Sequence, residues 1–138
     1  MFGMVAIGDL ARVTRWEGLW AVTGQVPSAS AWRRWNLTRW NGNDQAPTGI
    51  DRGEGDIEVL GHPTFTPGQH VLHWGQVVTV VEDLGDKVVV YIQRRREVAR
   101  DPLYPNGVFI NNSGNTPVDR GALVAENATR LLKLLETS

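Results

Sequence analysis

The chain has 138 residues, a length that suits one ordinary domain or two very small ones. Hydrophobic residues make up 41% and charged residues 21%, which is the composition of a globular protein and argues against disorder. The net charge of -1 lacks the basic excess of a protein that holds nucleic acid mainly through phosphates, and the absence of cysteine excludes disulfides, thiol nucleophiles and thiolate metal sites.

No apolar run approaches the ~18 residues that cross a bilayer. Residues 1–9 lack a basic segment followed by a long apolar core, so we expect no secretory signal peptide. We therefore expect a cytoplasmic or virion protein that does not act at a membrane.

A tryptophan- and arginine-rich segment spans residues 32–40. As a strand, it places Trp32, Arg34, Asn36, Thr38 and Trp40 on one face and Arg33, Trp35, Leu37 and Arg39 on the other. Because both faces carry arginine, we predict that one face presents Trp and Arg outward. Such a face suits a protein interface or nucleic acid. The alternative is that the rings cover a small core and the arginine stems lie over them.

The central part of the chain predicts a β-hairpin. Residues 76–82 and 87–93 are β-branched runs that flank the turn Asp83-Leu84-Gly85-Asp86. A second hairpin is predicted at Asn106-Gly107, with residues 108–110 as its return strand.

Three consecutive arginines, Arg94, Arg95 and Arg96, extend the apolar strand of the first hairpin. An apolar strand that turns basic is expected to leave its module at this point. The two interpretations are an exposed edge with mixed salt bridges and a protruding arm that reaches a neighbour.

The last part of the chain has two interpretations. Residues 121–136 place Val124, Ala128, Leu131 and Leu135 on one helical face, and helix-forming residues dominate there. A C-terminal helix and a turn followed by a strand both remain open.

The chain also repeats itself. Residues 5–13 parallel residues 65–71, since each copy opens with an apolar residue, a glycine and a polar residue before a strand. A glycine turn and a valine-rich strand follow each copy, and an apolar run closes each, at 57–60 and 131–135. The intervening Gly61-His62-Pro63-Thr64 suits a linker. We therefore predict two modules, residues 1–61 and 62–138.

This order of G-D-x-[AV]-x-V, glycine turn, valine strand, hairpin and short closing strand resembles SH3-like barrels of the KOW and Tudor kind, which are frequent in actinobacteria and their phages. The resemblance implies a mainly β fold of two small SH3-like β-barrel modules, with residues 124–132 as the helical turn and last strand of the second. Segments 32–55 and 94–120 exceed ordinary barrel loops and are expected to be long loop insertions.

Residues that carry chemistry are sparse. His70 and His73 fall on opposite faces of a strand, and His62 lies in the linker, so we expect surface histidines rather than metal ligands. The acidic residues of segment 51–58 alternate with glycines, which indicates a solvated loop rather than an acid–base pair. No metal, nucleophile or phosphate-loop motif occurs. We expect no catalytic residue, cofactor or bound metal.

The leading hypothesis is a non-enzymatic interaction or assembly protein, a structural component of a phage particle or a similar multi-protein complex. Its partners would be copies of itself or other assembly subunits. The partner-binding residues are expected to be Trp32, Arg34, Trp40, Arg94, Arg95 and Arg96. The alternative is a KOW-like protein that binds nucleic acid or the transcription or translation machinery.

Overall fold

In the computed structural model of the protein, residues 5–27, 33–40, 47–93, 95–98, 108–111 and 114–137 are described, with the backbone alone at 95–98 and 108–111. Trp32 and Arg94 lie outside the described residues. The fold is mainly β, as the sequence predicts, and it contains two antiparallel sheets and two short C-terminal helices.

Five strands form the first sheet: β1 (Leu10–Val13), β2 (Trp16–Val26), β3 (Arg34–Arg39), β4 (Thr48–Gly53) and β5 (Ile57–Gly61). Their spatial order is β4-β3-β2-β1-β5, and a single 3-10 turn, Glu54–Asp56, precedes β5.

Four strands form the second sheet: β6 (His70–His73), β7 (Gln76–Asp83), β8 (Lys87–Ile92) and β11 (Gly114–Asp119), in the order β11-β8-β7-β6. Between β8 and β11 the chain forms a two-stranded ribbon of β9 (Arg95–Val98) and β10 (Val108–Asn111). Helices α1 (Arg120–Glu126) and α2 (Ala128–Thr137) follow.

The predicted central hairpin is confirmed. Strands β7 and β8 pair antiparallel around Gly85, which has a φ of +96° that only glycine adopts without strain. Val78 and Val80 on β7 are buried while Val77 and Val81 on either side of them are exposed, which indicates a sheet with one covered face.

The segment 32–55 differs from the expected insertion in its described part. Strand β3 lies between β2 and β4 in the first sheet, and Trp35 and Leu37 on it are buried. The alternating pattern is therefore that of an inner strand whose Trp35 and Leu37 are buried on one face, while Arg34 and Asn36 on the other face are exposed.

Two clusters of buried side chains hold the fold together. The smaller one lies within the first half and contains Val5, Ala11, Val13, Trp20, Val22, Trp35 and Leu37. The larger one joins Leu10 and Ala21 of the first sheet to the inner side of the second sheet and to both helices. The first sheet therefore has a buried cluster on each face. The division into separate domains at residue 61 stays a prediction.

The repeat seen in the sequence is present in the backbone. Gly8 and Gly68 have φ values of +93° and +90°, and their amides donate to the carbonyls of Val22 and Val80, each over 2.8 Å. Four strands of each half also share one spatial order, β4-β3-β2-β1 and β11-β8-β7-β6. The two halves are therefore two copies of one strand arrangement.

The copies differ in how they close. In the first half β5 pairs with β1, whereas in the second half side chains from the α1–α2 junction bind the backbone of β6. The Asn127 side chain accepts a hydrogen bond from the Leu72 amide and donates one to the Leu72 carbonyl, both over 2.9 Å. The expectation of a last strand is wrong, and the helical alternative is confirmed. The Asn127 side-chain amide supplies the donor and acceptor that a pairing strand would offer to β6.

Candidate functional site

The described residues hold no cluster of three side chains that could bind a metal ion. Neither of the described helices is both long and apolar enough to span a membrane. The exposed aromatic residues of the described chain point to a candidate surface.

Trp74 is the most exposed large hydrophobic residue of the described chain, with 71% of its surface accessible. It lies in the turn between β6 and β7 and has a φ of +51°, a left-handed conformation that is strained for a bulky residue. The Glu126 carboxylate accepts hydrogen bonds from the amides of Trp74 and Gly75, over 2.7 and 2.9 Å. Helix α1 thus fixes the turn that presents the ring.

Trp40 contacts Trp74 across the two halves of the molecule. The ring centroids are 5.3 Å apart and the planes meet at 75°, which is an attractive edge-to-face contact. Together they form one wall of a cleft of about 70 Å³, whose other lining residues are Thr38, Pro47, His73, Ala122, Ala125 and Glu126. We call this the aromatic cleft.

The predicted partner-binding residues are only partly brought together. Trp40 lies in the aromatic cleft, whereas Arg34 is exposed on β3 and forms an ion pair with Asp51 over 2.8 Å. Arg34 is not among the residues that line the cleft. Arg95 and Arg96 lie on β9, where the backbone alone is described.

Other tryptophans of the first half serve the core. Trp20 and Trp35 are buried, and the Arg39 guanidinium lies 5.2 Å from the centre of the Trp20 ring. The Trp35 indole donates a hydrogen bond to Glu54 over 3.1 Å. Within segment 32–40, Trp35 thus belongs to the core and Arg39 lies over Trp20, while Trp40 is half-buried and faces the cleft.

The ribbon of β9 and β10 continues the second sheet without a change of register. Ile92 pairs with Gly114, and further out Arg95 pairs with Asn111 and Val98 with Val108. Three steps along one strand thus correspond to three steps along the other, without a bulge. No further described strand flanks the ribbon. The ribbon therefore extends the pairing of β8 and β11 beyond the four-stranded sheet, and an arm that reaches a neighbour stays a prediction.

Sequence analysis missed Trp74. The available signal was its place between two predicted strands, directly before Gly75, because a large aromatic residue in a tight turn has little chance of burial. Its neighbours in the cleft include Thr38 of β3 and residues of α1, which no local pattern connects to the turn.

Comparisons with protein-family models, with curated proteins and with solved structures each found no match to this chain.

Proposed function

We propose that this protein is a non-enzymatic interaction protein that forms part of a multi-protein assembly, and that a protein partner docks at the aromatic cleft. The observation that carries the proposal is the presentation of Trp74, exposed to 71% on a strained backbone. Strain of this kind costs about 1–3 kcal/mol and persists where the surrounding structure holds it in place. Here Glu126 holds it, which supports a function for the exposed ring.

The size of the cleft favours a protein side chain over a small substrate. Small-molecule sites usually enclose ~300–1,000 Å³, whereas the aromatic cleft has about 70 Å³. Tryptophan is also among the residues that most often dominate the binding energy of protein interfaces. A partner side chain inserted beside Trp40 and Trp74 would bury both rings further.

The arginines of the first half support a protein partner over nucleic acid. Arg34 is paired with Asp51, and the guanidinium groups of Arg39 and Arg52 lie over tryptophan rings of the same half. A net charge of -1 also provides no long-range attraction to a polyanion. Binding of nucleic acid is the alternative function that the experiment below distinguishes from a protein partner.

The proposed setting is a phage particle or a similar complex, with the chain in the virion or the cytoplasm. The shared strand order of the two halves and the 3-10 turn before β5 support the proposed resemblance to tandem SH3-like barrels. The second half lacks a described closing strand, and helix α1 contributes Ala122, Ala125 and Glu126 to the aromatic cleft.

Affinity purification of the tagged chain from the cells that produce it tests the proposal. We expect the wild type to retain protein subunits in fixed ratio after nuclease treatment and at high salt. Trp74→Ala should lose them, because removal of an interface anchor costs about 2 kcal/mol or more. Leu84→Ala is the matched control, since Leu84 is also exposed but lies in the β7–β8 turn.

Two outcomes would contradict the proposal. Salt-sensitive binding to single-stranded DNA or RNA that Arg34→Ala weakens would favour the nucleic-acid function. Each phosphate contact releases counterions from the nucleic acid, so a variant with fewer contacts binds with a weaker dependence on salt. Retention of all subunits by Trp74→Ala would remove the aromatic cleft as the docking site.

A further inference from the structure

Two tryptophan rings outside the aromatic cleft are covered by arginines of the same chain. The central carbon of the Arg39 guanidinium lies 5.2 Å from the centre of the Trp20 ring. That of Arg52 lies 5.3 Å from the centre of the Trp16 ring. A guanidinium group is attracted to the negative face of an aromatic ring and stacks on it. The protein therefore uses this pairing repeatedly within its own structure.

The two rings of the aromatic cleft have no such partner. Among the described side chains, no guanidinium or ammonium group lies over Trp40 or Trp74, and no arginine or lysine lines the cleft. Arg39, the neighbour of Trp40 in the chain, is held elsewhere, because it donates a hydrogen bond to the Glu17 carbonyl over 2.7 Å. The exposed ring of Trp74 is thus open to a cation from another molecule.

A fixed carboxylate lies beside these rings. Of the described residues that line the cleft, Glu126 alone carries a charge when His73 is neutral. Its two oxygens accept hydrogen bonds from the amides of Trp74 and Gly75 over 2.7 and 2.9 Å, which fixes their position. Each carboxylate oxygen can accept a further hydrogen bond. Two aromatic rings and one fixed carboxylate together favour a cation over an anion or a neutral group.

We propose that the aromatic cleft receives the guanidinium group of an arginine side chain on the partner protein. The inference rests on the proposed docking at the cleft and deepens it by naming the chemistry of the partner's anchor. A guanidinium group can stack on tryptophan and donate to a carboxylate at the same time, because its N–H groups lie at the edge of a flat ion. Arginine is also among the residues that most often dominate the binding energy of protein interfaces.

The carboxylate disfavours an apolar anchor in the same place. An apolar side chain would remove water from Glu126 without offering a hydrogen bond in return, and the loss of hydration of a charged group is costly. A guanidinium group replaces the lost water with charge-assisted hydrogen bonds. The cleft therefore selects for a side chain with a positively charged end.

Titration of the purified protein with N-acetylarginine amide, followed by NMR at the indole N–H groups of Trp40 and Trp74, tests this inference. We expect both signals to shift, with a dissociation constant in roughly the millimolar range. N-acetylcitrulline amide is the matched probe, because its side chain has the same length and shape but ends in a neutral urea group. It should bind at least about 5-fold more weakly, since it lacks the cation–π attraction.

Two glutamates of the C-terminal helices supply matched variants. Glu126→Gln removes the charge but keeps an oxygen that can accept from the turn, so it should weaken binding of the arginine probe about 5-fold and that of the citrulline probe less than about 2-fold. Glu136→Gln removes the same charge from an exposed position of α2 and should change neither by more than about 2-fold. Salt provides a second measurement that leaves the turn unchanged. A tenfold increase in salt concentration should weaken binding of the arginine probe to the wild type, and leave the citrulline probe unaffected.

Equal binding of the arginine and citrulline probes would overturn the inference. Tighter binding of N-acetylleucine amide would also overturn it, because the cleft would then be an apolar pocket. The same holds if neither indole signal shifts with the arginine probe at concentrations up to about 50 mM, well above the expected dissociation constant.

The titration needs no partner protein, so its failure differs from failure of the proposed function. Loss of the protein subunits from Trp74→Ala together with unselective binding of the probes would overturn this inference alone. Retention of the subunits by Trp74→Ala together with selective binding of the arginine probe would overturn the docking site and leave a cation site.

Discussion

The buried guanidinium of Arg120 forms an ion pair with the carboxylate of Asp83 and thereby joins the start of α1 to the end of β7. Arg120 is only 3% exposed, and it also donates hydrogen bonds to the carbonyl oxygens of Gly85 and of Pro63 in the linker. One side chain therefore binds the end of β7, the β7–β8 turn and the segment that contains Pro63.

Replacement of Arg120 by methionine should cost about 3–5 kcal/mol of unfolding free energy, because Asp83 and two carbonyl groups would lose their buried partner. Urea unfolding followed by circular dichroism measures this. Arg130→Met is the matched control, since Arg130 is exposed on α2, and it should cost less than about 1 kcal/mol. A cost below about 1 kcal/mol for Arg120→Met would show that the pair is dispensable.

The same pair predicts a dependence of stability on pH. Burial alone would raise the pKa of Asp83, but hydrogen bonds from Arg120 and from the Gly85 and Phe65 amides outweigh it and hold the pKa below its usual value. Folding therefore favours the ionised form. The contribution of Asp83 to the free energy of unfolding is fully present above the unfolded pKa of about 4, and it is lost as the pH falls through the folded pKa.

Urea unfolding between about pH 2 and pH 7 tests this expectation against Asp83→Asn. The wild type should lose more stability on acidification than the variant, so the gap between them should narrow as the pH falls. Parallel curves would show that another carboxylate governs the acid response.

Part of this architecture was predictable because its causes are local. The alternation of valines specified β7 and β8, and glycines before the first strand of each half specified the repeat. The Asn127 contact with Leu72 was not predictable, since it joins residues separated by 55 positions and depends on where α1 ends. The composition of its segment indicated Trp40 as a binding residue. Its contact with Trp74 was not predictable, because it depends on how the two halves pack together.

Asn127→Ala should destabilise the protein by about 2–3 kcal/mol, because it leaves the backbone donor and acceptor of Leu72 without their partner. Hydrogen exchange at the Leu72 amide should accelerate more than exchange elsewhere in the second sheet. Asn115→Ala, at an exposed position of β11, is the control and should change the unfolding free energy by less than about 0.5 kcal/mol. Unchanged protection of Leu72 in Asn127→Ala would contradict the proposed closure.

The repeat supplies a matched pair of glycines. Both Gly8 and Gly68 have positive φ, but no atom lies within 4 Å of a Cβ built on Gly68, whereas one built on Gly8 would lie 2.7 Å from Cγ of Arg120. Gly68→Ala should therefore cost about 1–2 kcal/mol through backbone strain alone. Gly8→Ala should cost at least about 1 kcal/mol more, because Arg120 must also move. Equal costs in urea unfolding would show that Arg120 adjusts freely.

Trp74→Gly separates stability from function at the aromatic cleft. Glycine adopts a φ of +51° without strain, which returns about 1 kcal/mol. Loss of the edge-to-face contact with Trp40 costs a similar amount, about 0.5–1.5 kcal/mol. The unfolding free energy should therefore stay within about 1 kcal/mol of the wild type, while the protein subunits retained in affinity purification are lost. A fall of more than about 2 kcal/mol would instead make Trp74 a structural anchor, and the strained turn would then need no partner to explain it.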